Sequence, residues 1–148
     1  MDLTGEYIPS TSEWVRDQVA TFEASSGQEA NTLPDTDWTI IVVTMRGATS
    51  GAVRKIGLMR VEHKGEYGFI ASKGGAPEHP AWYQNLLAHP DEVLIQDGAV
   101  KQRYFVEEVR GEERDAWWDR GVEAYPPYEE YRANTERVIP VLVARPIS

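Results

Sequence analysis

Cysteine is absent from this 148-residue chain. That excludes disulfides, thiolate metal ligands and a cysteine nucleophile. Histidine is scarce. His63, His79 and His89 have no metal-ligand spacing and no HExxH partner, so they read as surface or capping residues and no metal site is expected. No apolar run approaches the roughly 18 residues that suggest a membrane span. Met1 to Glu6 lacks the basic region and apolar core of a signal peptide, so a soluble cytoplasmic protein is the expectation. GxGxxG and Walker patterns are missing, which weighs against Rossmann and P-loop folds. No GxSxG elbow surrounds Ser72, which favours a hydrogen-bonding role for it over covalent catalysis. Positive charge is also short: 15 Lys and Arg face 24 Asp and Glu, and the net charge of −9 argues against general nucleic-acid binding.

The few cations are unevenly spread. Residues 46–73 hold Arg46, Arg54, Lys55, Arg60, Lys64 and Lys73 against only Glu62 and Glu66. A basic window in an acidic protein is either an anion site or a solvated basic hairpin.

The length suits one domain able to bury a substantial core. Ser10 with Glu13 offers a capping box, and Val15, Val19 and Phe22 recur at helical period, so a surface helix opens the chain. Residues 27–37 read as a linker. Trp38–Met45 is β-branched and apolar, as in a buried central strand. Val53–His63 and Glu66–Ser72 read as a hairpin through Lys64-Gly65. A helix begins near Pro80 and ends at His89-Pro90. Glu92–Gln96 and Ala99–Val109 form a second hairpin through Asp97-Gly98. Helices at 112–124 and 128–135 precede a last strand at 138–144. Trp117-Trp118 reads as one core and one rim residue. Six strands joined mainly by hairpins favour a small antiparallel barrel with flanking helices, mainly β, over a parallel sheet.

Two segments carry candidate chemistry. Residues 71–86 run from a strand end through Ser72-Lys73-Gly74-Gly75 into the Pro80 helix. Such a turn either offers backbone N–H groups to an anionic or heteroaromatic ligand or is a plain connection rich in turn residues. Tyr125, Tyr128 and Tyr131 flank Pro126-Pro127 and either line a pocket or pack a short helix onto the barrel.

Several stretches, taken in order, resemble one family. Arg46-Gly47-Ala48-Thr49-Ser50-Gly51 and Arg54-Lys55-Ile56-Gly57-Leu58 look like the glycine-flanked turn and basic strand of the deazaflavin-dependent nitroreductases. Ala71-Ser72-Lys73-Gly74-Gly75 and Pro80-Ala81-Trp82-Tyr83-Gln84-Asn85-Leu86 resemble its most recognisable motif. Ala124 to Tyr131 and Arg137-Val138-Ile139-Pro140-Val141 resemble its C-terminal pattern. The resemblance runs from about Trp38 to the end. It implies a six-stranded split barrel of the flavin-reductase type, the FMN-binding split-barrel fold, with residues 38–148 as barrel and 1–37 as N-terminal helix and linker.

The cofactor implied is coenzyme F420, a deazaflavin with a phosphate and an oligoglutamate tail. The cofactor-binding positions implied are Ala48, Thr49, Ser50, Arg54, Lys55, Ile56, Gly57, Leu58, Met59, Arg60, Ile70, Ala71, Ser72, Lys73, Ala81, Trp82, Tyr83, Gln84, Asn85 and Tyr128. The substrate-facing set is Tyr125, Tyr128 and Tyr131, with Ser72 near the reacting ring. Ser72, Tyr125 and Tyr131 are therefore the candidate catalytic residues, with water as another proton source. Two departures stand out. The family often has basic residues where this chain has Ala48-Thr49, and a proline where it has Gly57, which would loosen that strand.

The activity implied is hydride transfer from the reduced deazaflavin to an electron-poor small molecule: an enone, an unsaturated lactone of the coumarin type, a quinone or a nitro compound. The competing readings are an FMN-dependent split-barrel oxidoreductase and a non-catalytic deazaflavin- or flavin-binding protein. A homodimer is compatible with the sequence.

Overall fold

Alternation at period two explains the first strand of the computed structural model, which describes residues 3–147. In β1 (Ile40–Arg46), Ile41, Val43 and Met45 face one apolar cluster while Ile40 and Val42 face another. Both faces are buried, so β1 is central. It pairs antiparallel with β2 (Val53–Met59) and β5 (Val93–Asp97). β3 (Glu62–His63) and β4 (Glu66–Ile70) form a short hairpin. β6 (Val100–Glu108) follows β5 through a two-residue turn, and β7 (Val141–Pro146) lies between β6 and β4.

The order β2-β1-β5-β6-β7-β4-β3 puts β2 and β3 at opposite ends. Laid flat at ~4.8 Å per strand, those ends would be ~29 Å apart. Only Arg60 and Val61 separate them in the chain, a reach of about 11 Å. The sheet must therefore curl until its edges meet at this joint. Arg60 N–H donates to Thr39 O (3.0 Å) on one edge, and Val61 O accepts from Gly68 N–H (2.8 Å) on the other. β2 and β3 are thus one bent strand shared by both edges. This is why seven strands are present where six were expected, and why β3 rather than β2 is the hairpin partner of β4.

The interior holds Ile41, Val43, Met45, Phe69, Ile95, Tyr104 and Leu142, closed at one end by Trp82 and Leu86 of α2 (Ala81–Ala88). α1 (Glu13–Ala24) covers Ile40 and Val42 with Val19 and Phe22. α3 (Gly111–Ala124) and α4 (Tyr128–Ala133) cover the β4–β7 outer face.

Four expectations are corrected. The capping box does not form: the helix starts at Glu13, and Ser10 Oγ instead accepts from Ser12 N–H (3.1 Å). Gln18, not Val15, joins Val19 and Phe22 on the buried stripe. The last strand starts at Val141, because Pro140 has no N–H to donate and Val138 stays exposed. Trp117 and Trp118 are both buried, since α4 covers the expected rim and Trp118 Nε1 donates to Glu129 (2.9 Å).

Trp117 finds its seat because β4 carries no side chain at Gly68. A Cβ there would lie 2.6 Å from Trp117 Cε3. Gly68→Ala is expected to lower stability by about 1–3 kcal/mol, the range for overpacking a filled core. Urea denaturation reads this directly, and an unchanged midpoint would contradict it.

Candidate active site

A cavity of about 710 Å³ opens where the β1–β2 turn, α2 and the approach to α1 meet. This volume is within the range of small-molecule sites. The β1–β2 turn forms one wall. Gly47 N–H donates to Ala52 O (2.7 Å), and Gly51, at φ +70°, donates to Gly47 O (3.0 Å). Asn85 of α2 holds the turn from across the cavity by accepting from Ala48 N–H (2.9 Å). No partner among the described residues takes the N–H groups of Thr49 and Ser50.

A second wall is the loop after β4. Lys73, Gly74 and Gly75 are consecutive left-handed residues, at φ +48°, +65° and +83°. Glycine adopts this conformation without strain, whereas lysine does so rarely. Lys73 lines the cavity beside Pro80, Ala81 and Trp82. Ser72 precedes it and is buried.

Ala48, Thr49, Ser50, Arg54, Lys55, Ile56, Lys73, Ala81, Trp82 and Asn85 of the expected positions line this one cavity. The others lie elsewhere. Leu58 packs against the barrel interior, and Met59 packs against the other two clusters. Gly57 is where Gln18 of α1 packs: a Cβ would lie 2.7 Å from Gln18 Oε1, so the glycine serves a close approach. Arg60 shares the strand face of Arg54, as period two requires, but six residues further along. It sits beside Val61 and Glu62 and pairs with Asp97 (2.8 Å). Ile70 and Ala71 are buried at the end of β4, and Gln84 is exposed. Tyr83 donates to Glu108 Oε1 (2.5 Å), and burial together with that carboxylate pushes its pKa up to about 12.

The tyrosines are on the other side of the 71–76 loop, where Gly75 packs on the Tyr131 backbone. Tyr128 is buried beside the rings of Trp118 and Tyr125. The hydroxyls of Tyr125 and Tyr131 are 2.8 Å apart, and Trp38 meets the Tyr125 ring edge-on at 5.1 Å. Burial, then the Tyr131 contact, pushes the Tyr125 pKa up to about 12. At neutral pH such a hydroxyl donates a hydrogen bond well but releases its proton poorly.

The basic window is largely neutralised by carboxylates, three of them from distant segments. Arg46 pairs with Glu92 (3.1 Å), Lys55 with Glu23 of α1 (2.7 Å), Arg60 with Asp97, and Lys73 with Glu78 (2.8 Å). Arg54 lines the cavity without an ion pair among the described residues. Sequence reasoning did not place Ser10, Thr11, Val15 or Met45 at the cavity. Thr11 and Val15 are four residues apart, so helical spacing alone could have joined them, but nothing local shows where α1 docks. The described residues contain no cluster of His, Cys, Asp and Glu able to hold a metal ion.

A closed antiparallel barrel with a side cavity walled by a glycine turn, a basic strand and a helix start defines a barrel of the flavin-reductase kind. A family model for F420H(2)-dependent quinone reductases matches residues 14–146, and the chain belongs to that family. Its coenzyme is F420. An F420H(2)-dependent quinone reductase of Mycobacterium tuberculosis is 29% identical over 84% of this chain and 84% of its own length. A second M. tuberculosis protein, which bears the same name provisionally, is 38% identical over 52% of this chain and 64% of its own length. Among solved structures, an F420-H2 dependent reductase is 48% identical, with a TM-score of 0.68, covering 72% of this chain and 93% of that one. Another, described as a domain-swapped dimer, is 42% identical, with a TM-score of 0.71, covering 92% and 100%.

The raised tyrosine pKa values make a prediction about alkali. Tyr83 and Tyr125 ionise near 12 when folded and near 10 when unfolded. Their stabilising contribution is therefore complete below pH 10 and disappears as pH rises from 10 to 12. Tyr83→Phe and Tyr125→Phe are each expected to flatten the fall in melting temperature across that window. Equal slopes for wild type and both variants would contradict the assignment.

Proposed function

We propose that this chain binds coenzyme F420 in the 710 Å³ cavity and reduces quinones with it. The observation carrying the reading is that the turn, strand, loop and helix marked by the resemblance converge on one cavity. The donor set fits the group. Arg54 and Lys73 offer cationic heads, Thr49 and Ser50 offer free N–H groups, and Ile56, Ala81 and Trp82 offer apolar surface for a flat ring. When bound, the reduced deazaflavin supplies a hydride, and a quinone that accepts it plus one proton becomes a hydroquinone. The protein's part is to bind, orient and exclude water. Ser72 positions the reacting edge, and Tyr125 and Tyr131 orient the acceptor from the other side of the loop. The proton comes from water or passes through that hydroxyl pair. Enones, unsaturated lactones and nitro compounds are further electron-poor acceptors for the same site. The chain works as one domain in the cytoplasm, and the likeness to a domain-swapped dimer supports a homodimer.

Fluorescence titration tests the cofactor reading. Reduced or oxidised F420 is expected to bind at least about tenfold tighter than FMN, equivalent to roughly 1.4 kcal/mol. Tighter FMN binding would favour the flavin enzyme, and binding without turnover of any acceptor would favour a carrier.

Substitution tests the groove. Arg54→Ala removes an unpaired cation and is expected to weaken F420 binding by roughly 10–100-fold, the worth of a charge-assisted hydrogen bond. The loss grows at low salt. Lys55→Ala costs less because Glu23 already engages that ammonium. Arg60→Ala leaves affinity unchanged. An Arg60 effect equal to that of Arg54 would move the groove.

For the tyrosines, Tyr125→Phe and Tyr131→Phe are expected to lower kcat/KM for a quinone by roughly 2–13-fold with cofactor affinity intact, as for a lost positioning hydrogen bond. Losses of about 10²–10⁴ would instead mark a general acid. Unchanged kinetics would leave both residues with packing alone.

A further inference from the structure

Arg137 lies between α4 and β7, outside the lining of the proposed cofactor cavity, yet its guanidinium is spent almost wholly on the cavity's loop. Nη2 donates to Ser72 O (2.6 Å), Nη1 to Ala71 O (3.2 Å) and Nε to Ala76 O (2.8 Å). Nη1 also lies 2.9 Å from His79 Nδ1. One planar fork thus gathers carbonyls from both ends of the loop across its three left-handed residues. Burial lowers the Arg137 pKa, but a guanidinium stays charged regardless. A charged donor on carbonyls gives stronger bonds than neutral donors would.

The consequence follows from the planar trans peptide. In the Ser72–Lys73 unit, the carbonyl and the Lys73 N–H point in opposite directions. The Ser72 carbonyl accepts both Arg137 Nη2 (2.6 Å) and the Gly75 N–H (2.9 Å) on one side, so the Lys73 N–H is turned away from them. That N–H has no partner among the described residues, and Lys73 lines the cavity.

We propose that Arg137 is a positioning residue for cofactor binding: by fixing the Ser72 carbonyl it presents the Lys73 N–H and side chain to a polar or anionic group of the ligand in the cavity. The inference rests on the cavity being the F420 site. Lysine at 137 supplies a compact ammonium that cannot hold three carbonyls in one plane, so charge alone does not replace it.

The test uses the full chain and fluorescence titration with F420, beside thermal melting. Arg137→Ala and Arg137→Lys are each expected to weaken binding by at least about tenfold. Val143→Ala, a truncation in the β7 core, lowers stability as a control without touching the loop and is expected to leave affinity within about twofold. Millimolar guanidinium added to Arg137→Ala is expected to restore part of the lost affinity and to do nothing for wild type. Should Arg137→Ala fail to fold, Arg137→Lys and the Lys73 amide resonance carry the test. That resonance is expected to shift on F420 addition in wild type and not in the lysine variant. Equal affinity for wild type and Arg137→Lys, or losses that merely track melting temperature as in Val143→Ala, would overturn the proposal. Failure of wild type itself to bind F420 with perturbation of Trp82 would overturn the cavity reading instead.

Discussion

The joint at Arg60-Val61 is the constraint on which the rest of the barrel depends. Two residues must connect the two outermost positions of a seven-stranded order, and they reach only if the sheet closes. Backbone bonds from Arg60 to Thr39 and from Gly68 to Val61 carry the ladder across the joint, so neither edge is left unpaired there. Arg60 and Tyr67 both engage Asp97, at 2.8 and 2.6 Å, beside that joint. This ion pair is partly solvated, so it adds modestly to what the ladder and the apolar interior supply.

Closure also explains where the cavity forms. Once the strands are wrapped, the β1–β2 turn, the loop after β4 and the start of α2 come together at one end. α2 plugs that end with Trp82 and Leu86, and its Asn85 ties the turn in place. The cavity is the space left between the plug, the turn and α1. Backbone bonds hold the turn that forms one of its walls. Lys73 and Glu78 form an exposed ion pair at its edge, which adds little to stability.

The electrostatics differ from what linear charge suggests. The window 46–73 looks like a cationic strip, yet Glu92, Glu23, Asp97 and Glu78 fold back onto four of its cations. What remains is a focused site in which Arg54 is the unpaired cation on the wall. The protein's net charge of −9 opposes anions at long range, so the proposed anion binding relies on these few placed donors.

Most of the elements were legible in the sequence because their signals are local. The β-branched, apolar run Trp38–Met45, Asp97-Gly98 at a hairpin and the Gly74-Gly75 turn each follow from local composition and nearest-neighbour sterics. The turn, loop and helix start of the cavity were legible for the same reason. Tertiary structure alone decided which long-range pairs form. It split one long strand at Val61, placed Arg60 far from Arg54, buried Trp118 under α4, and docked α1 so that Val15 faces the cavity rather than the core. It also turned Arg137 onto three carbonyls more than sixty residues away in sequence. Periodicity says which side of an element is apolar. It cannot say which distant surface covers that side, because that follows from closing the whole sheet.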